Sequence, residues 1–269
     1  MTVLTIEECL KHGTAEIGRR DAMLLLCHLQ GCTTAHAMLN ENEPVPQYKK
    51  FLQYVQRYKS GEPMQYIIGH WDFMGHTLKV DGRALIPRPE TELLVEGALK
   101  FLQTKIGEIT VLDLCTGSGC IAAAIAGAGE YSVTAVDIST DALSLAQENG
   151  GGLGIEFVQS DLFANVREVF DLIISNPPYI TDKEMAELSP TVLDYEPHLA
   201  LHGGMDGMDI YRMLIPESLK FLKPGGALFL EIGPPQVKDS MQQAGFADVQ
   251  LKNDYAGLPR IVYGVKQYV

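Results

Sequence analysis

The chain reads as an α/β protein with a seven-stranded, mostly parallel sheet carrying helices on both faces, preceded by a small helical domain. Three observations predict this. From Ile109 onward, strand-like and helix-like stretches alternate, the pattern of a doubly wound sheet. The last two strand-like segments have no helix between them, so they close the sheet as an antiparallel hairpin. The first sixty residues instead carry apolar residues at helical spacing.

In the leading segment, Ala22, Leu24, Leu25, Leu26 and Leu29, and then Ala35, Met38 and Leu39, supply apolar helix faces. Val45, Phe51, Leu52, Val55 and Tyr58 follow Pro44 and Pro46, which suit a helix start. Residues 1–63 are read as one helical domain. Residues 64–84 are read as a β-hairpin connector, because Gln65 to Val80 is aromatic and β-branched and broken by glycines. The Ile86-Pro87-Arg88-Pro89 stretch is held extended by its prolines, and a helix is predicted over 91–102. Residues 85–269 form the larger domain. Its strands are predicted over 110–114, 132–137, 155–159, 171–175, 227–232, 249–252 and 261–265. Its later helices are predicted over 120–126, 141–149, 210–222 and 237–244.

Composition narrows the class. The 269 residues are 46% hydrophobic and 20% charged, ordinary values for a soluble globular protein. Residues 1–10 contain two glutamates and no basic residue, unlike a signal peptide, and no apolar run is long enough to cross a bilayer. Five cysteines without a disulfide-like pattern predict reduced thiols and a cytoplasmic setting. The net charge of −13 is unevenly placed. Residues 1–80 hold eight basic and eight acidic residues, whereas the remainder holds 13 basic and 26 acidic. That acidic remainder repels phosphate backbones and argues against a stable nucleic-acid partner.

The first motif is Asp113-Leu114-Cys115-Thr116-Gly117-Ser118-Gly119, leaving a strand and entering a helix. Glycines there let a ligand approach the backbone, and the helix start offers free N–H groups. Eighteen residues past Gly119, Asp137 ends the second strand, where an acid can accept from both hydroxyls of a ribose. Asp113, Cys115, Thr116, Gly117, Ser118, Gly119 and Asp137 are therefore candidate contacts to an adenosine-containing ligand. Asp161, after the third strand, either accepts from an adenine amine or caps a helix.

The second motif, Asn176-Pro177-Pro178-Tyr179, follows the fourth strand. The Asn176 side-chain carbonyl accepts one N–H of a planar amino or amide group. The Pro177 carbonyl, stiffened by Pro178, accepts the other, and Tyr179 can stack on a flat π system. This decides against a dinucleotide and for a planar –NH2 group held beside the adenosine-containing ligand. Asn176, Pro177 and Tyr179 are the candidate catalytic residues, and Pro178 joins them as a candidate substrate contact.

Together these motifs resemble the N-methylating branch of the class I (Rossmann-like) methyltransferases. Residues 85–92, Ser160-Asp161-Leu162-Phe163, residues 195–201 and Gly203-Gly204-Met205-Asp206-Gly207 narrow the resemblance to the HemK/PrmC family. That resemblance implies S-adenosylmethionine as methyl donor, with S-adenosylhomocysteine as product. It implies the glutamine of a Gly-Gly-Gln motif in peptide-chain release factors as substrate. It also adds Leu162 and Asn176 to the cofactor contacts, Leu162 against the adenine ring. Arg88 and Glu90 either wall the site or form an ion pair. Glu196 either orders a loop over the substrate or is exposed, and His198 is a loop residue. The family usually has glycine where this chain has Cys115, whose thiol narrows the cofactor's approach. Cys115 and Cys120 lack further metal ligands, so no metal site is read.

Two other substrates stay open: a ribosomal-protein glutamine, which also suits Asn-Pro-Pro-Tyr, and an adenine or cytosine amine. The second needs a basic, aromatic target-recognition region that the sequence lacks. The domain at 1–63 is expected to recognise the protein substrate.

Overall fold

The computed structural model describes residues 3–268. The chain divides into two compact units, one made of residues up to Gly69 together with Pro190–Tyr195, the other of His70–Ser189 and Glu196 onward.

In the first unit, strand β1 (Leu4–Thr5) leads into α1 (Ile6–Ile17). A capping box fixes that start: the Glu8 N–H donates to Thr5 Oγ1, and the Thr5 N–H donates to Glu8 Oε2 at 2.9 Å. Next come α2 (Arg19–Gln30), α3 (Thr34–Leu39), β2 (Pro44–Val45), α4 (Tyr48–Lys59) and α5 (Met64–Ile68). Ile6, Leu25, Leu26 and Phe51 are fully buried at the centre of this unit. The sequence reading singled out no helix over α1.

The segment read as the start of a hairpin is partly helical. Residues 64–68 turn as α5, because Pro63 presets its entry and Gly69, at φ 81°, ends it in the left-handed region. Met64 and Ile67, three apart, bury together in the helical core, and that burial overrides the β-branched composition. The hairpin itself is β3 (His70–Phe73) with β4 (His76–Lys79). Its two loop residues, Met74 and Gly75, both have positive φ, as a tight two-residue hairpin turn requires.

The second unit continues with α6 (Pro89–Leu102), β5 (Ile109–Leu114), α7 (Cys120–Ala128), β6 (Tyr131–Asp137), α8 (Thr140–Gly150), β7 (Glu156–Gln159) and β8 (Phe170–Ser175). The short helices α9 (Asp182–Met185) and α10 (Pro190–Tyr195) follow, the latter grouped with the first unit. Then come α11 (Asp209–Phe221), β9 (Leu222–Glu231), α12 (Val237–Ala244), β10 (Ala247–Asn253) and β11 (Pro259–Val265). The seven strands lie in the order β10-β11-β9-β8-β5-β6-β7, and only the pairs involving β11 are antiparallel.

The sheet is covered on both faces. Val111, Leu172, Ala227 and Phe229 join one buried cluster; Leu112, Ile173, Leu228 and Leu230 join the other. Strands buried on both sides read as continuous apolar runs, and these do. The reversal of strand order at β5, between β8 and β6, opens a crevice at the strands' carboxyl ends. Among the described residues, no helix is long and apolar enough to cross a membrane.

Candidate active site

Four strand ends build the site. β5 ends into the turn at Cys115, β6 ends on Asp137, β8 leads into Asn176, and β9 ends on Glu231. The parallel register sets Leu114 beside Val136 on one side and beside Ser175 on the other. One cavity at these ends is lined by Cys115, Thr116, Gly117, Ser118, Asp137, Asp161, Leu162, Asn176 and Pro178, together with Pro87, Arg88 and Thr91.

The turn after β5 is held from beneath. Asp113 is wholly buried and does not line the cavity. Its Oδ2 accepts from Thr116 Oγ1 at 2.6 Å and from the Ala122 N–H at 3.1 Å. Its Oδ1 is buried without a hydrogen-bond partner. Burial pushes the Asp113 carboxyl up to about 7, against the pull of those two donors. Gly119 is also behind the wall, so Asp113 and Gly119 shape the turn rather than face the cavity.

Gly117 has φ 54°, and a Cβ there would meet nothing nearer than Ala84 Cβ at 4.0 Å. The space above it is therefore open to a ligand. Asp137 Oδ2 accepts the Gly117 N–H and Oδ1 accepts the Ser139 N–H, each at 2.9 Å. Each oxygen keeps a lone pair for a further donor. Burial raises the carboxyl, opposed by those backbone donors. A carboxylate facing an open glycine turn, with Ile138, Ala142 and Leu162 as apolar wall, fits a ribose and its base.

Cys115 occupies the left-handed region at φ 57°. A side chain there is strained, which is the physical reason glycine suits this position. Burial and the neighbouring Asp137 push its thiol up to about 12, so it stays protonated and is no nucleophile. Asp161 is exposed at the rim, and Leu162 is half-buried on the edge of the second core cluster. The helix-cap alternative for Asp161 is corrected. The residues after it form a turn closed by the Ala164 N–H on the Asp161 carbonyl, which leaves no helix to cap.

Of the Asn-Pro-Pro-Tyr residues, Asn176 and Pro178 line the cavity, while Pro177 is buried. The Tyr179 ring lies over Gly233, where a Cβ would fall 2.5 Å from Tyr179 Cδ2. Its hydroxyl donates to Glu231 Oε1 at 3.2 Å, and burial raises its pKa. Asn176 Nδ2 donates to Thr91 Oγ1 at 3.2 Å, leaving Oδ1 as the acceptor this side chain can offer a ligand.

Arg88 lines the cavity and pairs with Glu196 at 2.5 Å; Glu90 does not line it. Glu196 is buried, not exposed, and also accepts the Ile86 N–H at 3.2 Å, so it pins the extended stretch before α6. His198 sits in the short 3-10 turn His198–Ala200.

Family comparisons fit this geometry. Residues 5–69 match the model of the PrmC N-terminal domain, and residues 90–193 match that of the methyltransferase small domain. A release factor glutamine methyltransferase from Koribacter versatilis is 38% identical over 257 residues, covering 92% of this chain and 91% of that protein. The chain belongs to the release factor glutamine methyltransferase family. A member from Streptococcus pneumoniae is 44% identical over 203 residues, covering 74% of this chain and 72% of the relative. A methyltransferase structure from Pyrococcus furiosus superposes with a TM-score of 0.53 at 19% identity, over 82% of this chain and 98% of that one, and shares the fold.

Sequence reasoning assigned no role to Thr91, which lines the cavity of this methyltransferase, or to Glu231, which is bonded to it. Thr91 is buried at 2% exposure, at helical spacing from Leu94, Val95 and Ala98 on the buried face of α6. A hydroxyl on an apolar stripe was the available signal. Glu231 is a carboxylate closing an apolar run, at the ligand-binding end of a parallel strand.

Proposed function

We propose that this chain transfers a methyl group from S-adenosylmethionine to the side-chain amide nitrogen of the glutamine in the Gly-Gly-Gln motif of peptide-chain release factors. Membership of the family carries the substrate class. The observation that supports the chemistry is Asn176, which lines the same cavity as Gly117 and Asp137 and whose Nδ2 is engaged by Thr91.

Bound S-adenosylmethionine supplies a methyl group activated by its sulfonium. In this reading Asp137 accepts from the ribose hydroxyls, while Gly117 and its neighbours Cys115, Thr116 and Ser118 form the bed against which the cofactor lies. Leu162 covers the base and Asp161 accepts from its amine. Asp113 and Gly119 act from behind by fixing the turn.

An amide nitrogen is a poor nucleophile because its lone pair is delocalised into the carbonyl, so positioning and electrostatics carry the work. Asn176 Oδ1 and the Pro177 carbonyl accept the two amide N–H groups and draw electron density onto nitrogen. Pro178 stiffens that grip, and Tyr179 flanks it. The nitrogen becomes acidic as it is alkylated, so it needs no strong base.

The helical unit, residues 1–63 in our reading, gives the intact release factor contact area that a short Gly-Gly-Gln tip lacks, since stable recognition takes about 1,200–2,000 Å² of total buried surface. The setting is the cytoplasm, with no stable nucleic-acid partner. The test is to incubate the protein and labelled S-adenosylmethionine separately with release factor, ribosomes and DNA, then map the label by mass spectrometry. One methyl on the Gly-Gly-Gln glutamine is expected. Label on a ribosomal protein or on a base, with none on the release factor, overturns the assignment.

A further inference from the structure

A chain of hydrogen bonds runs from Asn176 and Thr91, which line the cavity, back to the buried Glu231, and its polarity follows from which groups can donate. Glu231 is 1% exposed and ends β9. Its Oε2 accepts from Thr91 Oγ1 at 2.6 Å, and its Oε1 accepts from the Tyr179 hydroxyl at 3.2 Å. Arg260 Nη1 stands 3.5 Å from the same Tyr179 oxygen, and Asp254 pairs with Arg260 at 3.3 Å.

Thr91 has one hydroxyl proton, and the Glu231 carboxylate takes it. Toward Asn176, Thr91 Oγ1 can therefore only accept. It does so from Asn176 Nδ2 at 3.2 Å. An amide side chain is nearly symmetric in shape, so only its partners decide which end points where. With Nδ2 committed to Thr91, Oδ1 is the end left for the incoming amide. Burying a carboxylate is costly, and an apolar residue at the end of β9 would serve the fold better.

We propose that Thr91 and Glu231 are positioning residues of the methyl-transfer site, which set the amide orientation of Asn176 so that its carbonyl faces the substrate nitrogen. Glu231 thereby holds both Asn176, through Thr91, and Tyr179, directly. This inference rests on the function proposed above.

The donor logic separates a positioning role from a packing role. Thr91→Val keeps the shape and removes the acceptor. Thr91→Ser keeps the acceptor and removes a methyl group. Glu231→Gln keeps the shape but introduces a donor. A Gln amide can donate to Thr91, whose proton then turns to Asn176 and draws Oδ1 away from the substrate.

The experiment measures kcat and KM for intact release factor, calorimetric affinity for S-adenosylmethionine, and thermal melting, on the full chain and each variant. Thr91→Val and Glu231→Gln should each lower kcat by about tenfold or more, with KM and cofactor affinity within about twofold of wild type. Thr91→Ser should restore kcat to within about threefold of wild type. Native kcat in Thr91→Val overturns the proposal, as does an equal loss in Thr91→Ser. A loss of cofactor affinity in proportion to kcat also overturns it, because that marks general disruption. A wild-type protein that binds cofactor but leaves the release factor unmethylated sinks the parent function, and this role with it. Native-like variants beside an active wild type sink this role alone.

Discussion

The Gly117 N–H donates to Asp137 Oδ2 at 2.9 Å, joining the end of β6 to the turn after β5. One carboxylate thus braces the glycine turn and faces the cavity that the turn borders. The bracing uses one lone pair of that oxygen, so Asp137 can hold a ligand without releasing the backbone.

Asp137→Ala should weaken S-adenosylmethionine binding by about tenfold or more, since charge-assisted hydrogen bonds contribute about 1.5–3 kcal/mol. Asp137→Asn keeps one acceptor oxygen and should lose less. Calorimetric titration checks both, and unchanged affinity in the alanine variant removes Asp137 from the site.

Asn176→Ala should leave cofactor affinity within about twofold and lower kcat by about a hundredfold, because the lost carbonyl orients the nucleophile. Single-turnover transfer to release factor reads the chemical step. Near-native turnover at saturating substrate would defeat the role given to Asn176.

Asp113 predicts a pH dependence of stability. Its folded pKa of about 7 lies above the ordinary 3.8, so the native state binds the proton more tightly. That contribution is full below the unfolded value and is lost as pH rises from about 4 through about 7, with a slope of at most about 1.4 kcal/mol per pH unit. Asp113→Asn cannot titrate, so its urea stability should change less between pH 5 and pH 8 than the wild type's. Equal changes in the two proteins would show that Asp113 is not the group responsible.

Cys115, at φ 57°, carries a left-handed cost of about 1–2 kcal/mol that glycine escapes. Glycine gives back about 0.5–1 kcal/mol in unfolded-state entropy. Cys115→Gly should therefore melt higher than Cys115→Ala, which keeps the strained Cβ, and cofactor affinity should not fall. An alanine variant as stable as the glycine variant would mean that the turn carries no such strain.

The amino-acid sequence alone determined the alternation of strands and helices, the antiparallel closing hairpin, the glycine turn with its spaced acid, and Asn-Pro-Pro-Tyr. All are local patterns, written in side-chain period, turn chemistry or a short motif. Tertiary structure decided what depends on contacts between distant segments. Residues 64–68 became a helix because Met64 and Ile67 found a core to bury in. Asp113 and Gly119 share the motif with Gly117 yet do not line the cavity, because β5 is an inner strand of the sheet and α7 packs over that sheet. Glu196 is buried through its bonds to Ile86 and Arg88, about 110 residues earlier in the chain. Thr91 and Glu231 are 140 residues apart, and no local pattern pairs them. Strand β9 beside β8 and helix α6 against β9 bring them to Asn176, where one hydroxyl proton fixes the direction of the amide.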